Sequence, residues 1–410
     1  MAIPSIIINK INYANIIKDI IFDKESNGQI GNFTDNFLEL SGIESKKIIL
    51  LGRARSAIYL SVKNSILKKR NKIILMSPFT VPEVIKLVKH AGGEPYFIDF
   101  YPETTFLNLE QIEKALKLKP AAIIITHYNL NQINYTEISD MCLKNALDLI
   151  EDSALSINGM VNKNKINSLS DYSLFSFSSF KLLNFFYGGA IAIKNENYEN
   201  IQNFTKDWKI LKLKDYTKQI FRTILFSTVT KDIFFNSITI NWMKIRRKNK
   251  INDIIDNKLA KSKYLIENNY FSLPSKYSIL ELNRKLPEYK KNKIHRKNIS
   301  EKYFKSLKEI TVGENFEIKD LISNGDNFNY LIKCKNKNHR DNLQNKLLSK
   351  NLQCGKLFYQ NCHILPEFAN IEGYSENIND LKNKILILPT HQNTNDEYVC
   401  NLIDQIKKDY

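Results

Sequence analysis

The chain has 410 residues, 43% of them hydrophobic and 25% charged, which fits a globular protein of roughly two domains and excludes a mostly disordered one. Its formal charge of +17 comes from Lys spread along the whole sequence, with no dense Arg stripe interleaved with aromatics, so a nucleic-acid groove is not expected. Five scattered cysteines (Cys142, Cys334, Cys354, Cys362 and Cys400) form no CxxC pair, which argues against a disulfide framework or a zinc knuckle and for a reducing, cytoplasmic compartment.

The opening MAIPSIIINKINYAN lacks the basic start and long apolar run of a signal peptide, and no uninterrupted apolar stretch reaches the roughly 18 residues of a spanning helix. From residue 47 to 193 short apolar runs alternate with amphipathic segments. KIILL (47–51) reads as a strand and GRARSAIYLSVKNSILKK as the following helix. KIILMS (72–77), PYFID (95–99), AAIIIT (121–126), LDLIE (147–151), YSLFSF and GGAIAI (188–193) are further strands. VPEVIKLVKHAG, NLEQIEKALKL and YTEISDMCLKNA are the helices between them. Near-continuous apolar strands separated by helices predict an α/β fold whose mostly parallel sheet is covered on both faces, with ligands at the carboxyl ends of the strands.

Residues 195–260 break this rhythm with an apolar, aromatic run ending in Arg246, Arg247 and Lys248. A buried helical hairpin, a dimer contact and a membrane-surface segment are all compatible with it, the last over residues 215–250. We divide the chain into a large domain over 1–260, with 195–260 as a helical insertion, and a smaller α+β domain over 261–410. In the latter NYLIKC (329–334) and ILIL (385–388) read as strands. HRDNLQNKLLSKN and a C-terminal helix capped by Thr394 or Asn395 are its helices.

The chemistry gathers at the strand ends. LDLIED puts Asp152 just past an apolar strand, facing the ligand crevice. LFSFSSFK puts Ser176 at the end of another, with Lys181 five residues on. Phe175, Phe177, Phe180, Phe185 and Phe186 surround that lysine in sequence and would desolvate its ammonium, lowering its pKa as imine formation requires. A lysine, a carboxylate and a helix start suited to a phosphate are what pyridoxal phosphate needs. The helix start is the GRARSAI turn, with Arg55, Ser56 and the distant Ser176 as side-chain donors.

With these residues in view, the chain resembles the DegT/DnrJ family of pyridoxal-phosphate-dependent sugar aminotransferases, which have the type I fold of such enzymes. The resemblance runs over roughly 47–193 and 295–408 and is strongest in EDSA, in SFSSFK followed by GG, and in LPTH near the C-terminus. It implies that Lys181 forms the Schiff base and that Asp152 meets the pyridinium nitrogen. It implies Ser176 and the turn Ala54, Arg55 and Ser56 at the phosphate, and Phe79 or Val81 against the cofactor ring, with Phe79 preferred for its aromatic face. His127 falls on the family's strand-end histidine, either structural or in direct contact, and His363 falls near the substrate mouth. Glutamate as amino donor, a nucleotide-linked keto sugar as acceptor, a role in surface-glycan biosynthesis and a homodimer with the site between subunits are further implications.

The chain departs from the family in four places. Arg53-Ala54-Arg55 stands where Ser-Gly-Thr is usual, Leu155 where Gln or His is common, and Asn131 where a Gly follows the histidine strand. The Asn-Tyr-Arg stretch that reaches the partner subunit is not recognisable. Two other readings follow: a catalytically weak relative acting as a binding or regulatory protein, and a dehydratase, against which Lys181 argues because His replaces that lysine there.

Overall fold

The computed structural model describes residues 2–8, 11–21, 27–128, 130–248, 266, 268–356 and 359–410. Seven strands form one sheet: β1 (Lys47–Leu51), β2 (Ile73–Met76), β3 (Glu94–Phe97), β4 (Ala122–Thr126), β5 (Asp148–Asp152), β6 (Tyr172–Ser176) and β7 (Gly189–Ile193). Their spatial order is β1-β7-β6-β5-β4-β2-β3. Strands β3, β2, β4, β5 and β6 pair in parallel, and β7 lies antiparallel between β6 and β1. Each strand falls where its apolar run predicts it, and β4 and β6 are buried almost throughout because side chains of both faces are covered.

The covering helices include Arg55–Lys69, Pro82–His90, Leu109–Leu116 and Tyr135–Lys144. Pro82 opens the second of these, where its missing N–H costs no hydrogen bond. The Asn108 side chain caps the third by accepting from the N–H groups of Glu110 and Gln111. Register then aligns the chemistry. Thr126 of β4 lies opposite Asp152 of β5, Asp152 opposite Leu174 of β6, and Ser176 opposite Gly189 of β7. Asp152 and Ser176 therefore end neighbouring strands at the same edge.

The smaller C-terminal α+β part centres on the antiparallel pair Tyr330–Lys333 and Ile385–Leu388, with the helices Lys337–Ser349 and Asp396–Lys407. Asn395 caps the last helix, its side chain accepting from the Tyr398 N–H at 2.9 Å. A 32-residue helix, Lys276–Leu307, serves both parts. Its first half buries Ile279, Leu282 and Leu286 with Phe37, Phe175 and Phe177. Its second half buries Ile299, Tyr303 and Leu307 in a core shared by Ile123 and Leu149 of the sheet and Ile332 and Leu386 of the smaller part. Each such side chain contributes about 1.5–3 kcal/mol when fully buried, so this helix holds the smaller part against the sheet.

After β7 comes the helix Asn195–Thr205, then Thr217–Val229, Asp232–Phe234, a π-helical turn Phe235–Thr239 and Ile240–Lys248. Of the expected insertion over 195–260, residues 249–260 lie outside the described residues.

Candidate active site

A cavity of about 690 Å³ opens at the carboxyl ends of β5 and β6. Asp152, Ser176, Lys181, Ala54 and Arg55 all line it. Glycine brings these parts together. A Cβ on Gly189 would stand 2.3 Å from Cα of Ala54, so only glycine lets β7 touch the start of the Arg55–Lys69 helix. Gly188, at φ +153°, turns the chain into β7 while its carbonyl accepts from the Phe177 N–H at 3.0 Å.

Burial pushes the Lys181 amine down to about 8; the nearby Asp152 carboxylate opposes this and Arg55 reinforces it. Phe175, Phe177, Phe185 and Phe186 are buried behind the lysine as their spacing predicts, whereas Phe180 is partly exposed and packs edge-on against Phe226 at 4.8 Å. Burial raises the Asp152 carboxyl above its ordinary value, and the Ala154 N–H donating to Oδ1 at 3.1 Å, with Lys181, His127 and Arg55, pulls partly against that. The two groups share one cavity and each steadies the charged form of the other.

One wall is cationic. The Arg53 guanidinium lies 3.3 Å from the centre of the Tyr187 ring and 5.6 Å from that of Tyr270. Arg55 donates to Glu83 at 3.2 Å and to the Tyr270 hydroxyl at 3.0 Å. The first turn of the Arg55–Lys69 helix adds the positive end of its dipole. Arg222 and Gln219 enter from the Thr217–Val229 helix, whose Thr223 hydroxyl bonds the Ser179 hydroxyl at 2.9 Å. Tyr359 closes another side.

Four predicted residues stand elsewhere. Phe79 is fully buried in the core. It sits in a two-residue strand, Phe79–Thr80, paired with Gln360–Asn361, and strand alternation turns Thr80 to the cavity and Phe79 away. Val81 and Tyr359 reach the cavity in its place. Ser56 is buried and donates its hydroxyl to the Tyr270 carbonyl, so it holds the tyrosine rather than facing the cavity. His127 is buried with both ring nitrogens engaged: Nε2 bonds Glu151 at 2.8 Å and Nδ1 accepts from the Gln132 N–H at 3.2 Å. His363 bonds the Ser375 hydroxyl at 3.0 Å and packs edge-on against Phe97, away from the cavity.

The His127 bond belongs to a polar layer beneath the site. Glu151 also accepts from the Tyr135 hydroxyl and the Asn167 N–H, each at 2.8 Å. Burial alone would raise its carboxyl, but the bond from His127 and the charges of His127 and Lys46 outweigh it and hold the group below its ordinary value. Lys46 is buried, with Ser170 and Ser173 each 2.9 Å from its amine, and burial pushes it down to about 7.

The residues that sequence reasoning missed are Tyr187, Tyr270, Tyr359, Gln219 and Arg222. Tyr187 adjoins the Gly188–Gly189 pair and was open to notice. Tyr359 lies in GKLFYQNCHILPEF, a stretch that resembles the family, whereas Tyr270, Gln219 and Arg222 lie where no local signature marks them, and only folding brings them to the strand ends.

Comparison with known proteins follows this geometry. The sequence model of the DegT/DnrJ/EryC1/StrS aminotransferase family matches residues 25–221 and 280–407, leaving 222–279 outside. The chain is 26% identical over 151 residues to a dTDP-4-dehydro-2,3,6-trideoxy-D-glucose 4-aminotransferase of Saccharopolyspora spinosa, covering 37% of this chain and 39% of that one. It is 26% identical over 170 residues to a UDP-4-amino-4,6-dideoxy-N-acetyl-beta-L-altrosamine transaminase of Campylobacter jejuni, covering 41% and 44%. The matches thus span about two-fifths of the length of these curated relatives. In structure it is similar to Helicobacter pylori PseC, an aminotransferase involved in the biosynthesis of pseudoaminic acid, with a TM-score of 0.73, 15% identity and coverage of 100% and 99%. That likeness concerns the fold, which is the α/β arrangement predicted above. Since the family model covers most of the chain, including the strand ends that carry Asp152 and Lys181, the protein belongs to the DegT/DnrJ/EryC1/StrS aminotransferase family.

Proposed function

We propose that the protein is a pyridoxal-phosphate-dependent aminotransferase that places an amino group on a keto carbon of a nucleotide-linked sugar, with glutamate as donor, in surface-glycan biosynthesis. One observation carries this reading: the Lys181 amine, pushed down to about 8, shares a cavity with the half-buried Asp152 carboxylate beside a cationic helix start. The names of the relatives, which act on dTDP- and UDP-linked sugars, support the substrate class.

The residues present fit the cofactor. Lys181 would bond its aldehyde and Asp152 would pair with its ring nitrogen. Ser176 and the turn at Ala54 and Arg55 would hold its phosphate, and Val81 and Tyr359 would flank its ring. When bound, pyridoxal phosphate supplies the carbonyl carbon that carries the amino group between substrates and the ring that withdraws electrons. Lys181 itself works as a base: as the neutral amine it takes the proton from the donor's α-carbon and holds it on Nζ. Arg53 and Arg222 line the same cavity and suit the diphosphate of the sugar nucleotide. The reading includes a homodimer, as family resemblance implies.

The test is direct. Purified protein incubated with pyridoxal phosphate is expected to gain a visible absorbance band that Lys181→Ala lacks. The loaded protein, given glutamate and a panel of nucleotide-linked keto sugars, is expected to release 2-oxoglutarate with at least one of them. Protein that takes up no cofactor overturns the reading and favours the binding or regulatory alternative.

A further inference from the structure

We propose that the segment 212–248 docks the protein on an anionic lipid surface, lying flat on the bilayer without crossing it. Among the described residues, 13 large apolar side chains are more than half exposed, and six of them fall within 25 residues: Phe221, Leu225, Ile233, Ile238, Trp242 and Ile245. Burying such residues is what folding ordinarily achieves, so a concentration of this size marks a surface that is covered in use.

Charge decides what covers it. Residues 212–248 contain nine Lys and Arg against two Asp. Two copies meeting through this face would bring like charges together, whereas an anionic bilayer attracts the charge and takes up the hydrocarbon. Aromatic and aliphatic side chains beside Lys and Arg are the composition of helices that lie in the interface plane, and tryptophan favours that depth. The helix Thr217–Val229 has 13 residues, short of the about 20 needed to span. No helix among the described residues is long and apolar enough to cross. Most of the face, from Arg222 onward, falls outside the stretches matched by the family, while Phe221 lies at the end of one.

The docking helix has two working sides. Gln219 and Arg222 reach the cavity, and Thr223 packs against Ser179. Phe221 and Leu225, four residues apart and so on one stripe, point outward. The inference does not depend on the reaction proposed above, and its test needs no turnover.

The full chain is to be co-sedimented with vesicles of phosphatidylcholine alone and of phosphatidylcholine containing about one-third phosphatidylglycerol. Binding is expected to the anionic vesicles only and to fall by at least about tenfold in the triple variant Phe221→Ser, Ile233→Ser, Trp242→Ser. In a Trp208→Phe background, Trp242 fluorescence is expected to shift to the blue on binding. Absence of binding to anionic vesicles, or equal binding by a triple variant with unchanged circular dichroism, overturns the proposal. A triple variant that turns a dimer into a monomer, with no vesicle binding by either form, overturns it in favour of a contact between copies.

Discussion

Around the cavity the protein gathers half-buried charge, and on the outer side of the Thr217–Val229 helix, one side chain away, it exposes hydrocarbon. Arg222 and Phe221 are neighbours in sequence and opposite in role. Both places reverse the usual partition of a globular protein, and each reversal has a cost that packing alone does not repay. The cavity offsets its cost internally: Lys181 and Asp152 favour each other's charged forms, while burial holds the amine down at about 8. On the outer face Phe221 and Leu225 are more than half exposed among the described residues, and the lipid surface proposed above would cover them.

The comparison breaks most sharply at Lys181. Lys181→Ala is expected to lower turnover by on the order of 10²–10⁴-fold with the fold intact, measured by single-turnover assay and circular dichroism. Equal loss from any other cavity lysine or arginine would show that charge in general, rather than this amine, carries the chemistry. Next, His127→Ala should cost roughly 3 kcal/mol of stability, because it strips a partner from the buried Glu151 carboxylate. The loss is to be read by denaturant unfolding. If cofactor uptake failed while stability held, His127 would belong to the site after all.

Asp152→Asn is expected to weaken cofactor binding by roughly 10- to 100-fold, the worth of a charge-assisted bond, as read by equilibrium titration of the visible band. The pH dependence sharpens the same point. Cofactor uptake should rise with pH and level off above about 8, where the Lys181 amine is neutral. Relative to a Lys181→Met variant, in which the opposing contributions of the buried cysteines and tyrosines cancel, the cofactor-free protein should gain stability as pH rises from about 8 toward the ordinary lysine value of 10.5. In that window the folded chain holds fewer protons on Lys181 than the unfolded chain does. A stability difference between the protein and the Lys181→Met variant that did not change with pH in this window would contradict the burial of the Lys181 amine. The smallest effect belongs to the outer face: Ile233→Ser should change the unfolding free energy by less than about 0.5 kcal/mol, since that side chain is 79% exposed.

Much of the sheet was legible because a strand covered on both faces must be apolar at nearly every position, and AIIIT and YSLFS say so locally. Asp152, Ser176 and Lys181 were legible for a related reason: a polar residue that ends an apolar strand stands at the crevice whatever the rest of the chain does. Phe79 misled because its chemistry suits a ring, while its orientation depends on pairing with Gln360–Asn361, some 280 residues on. His127 takes the structural one of its two readings, its ring nitrogens engaged by Glu151 and Gln132, while His363 bonds Ser375 away from the cavity.

By itself the sequence determined the strands, most of the helices and the amine and carboxylate at the strand ends, all of which rest on neighbours close along the chain. Tertiary structure alone decided which rings and guanidinium groups wall the cavity. It also decided that one helix presents Arg222 inward and Phe221 outward. Those outcomes depend on contacts between residues far apart in the chain, whose partners no local pattern specifies.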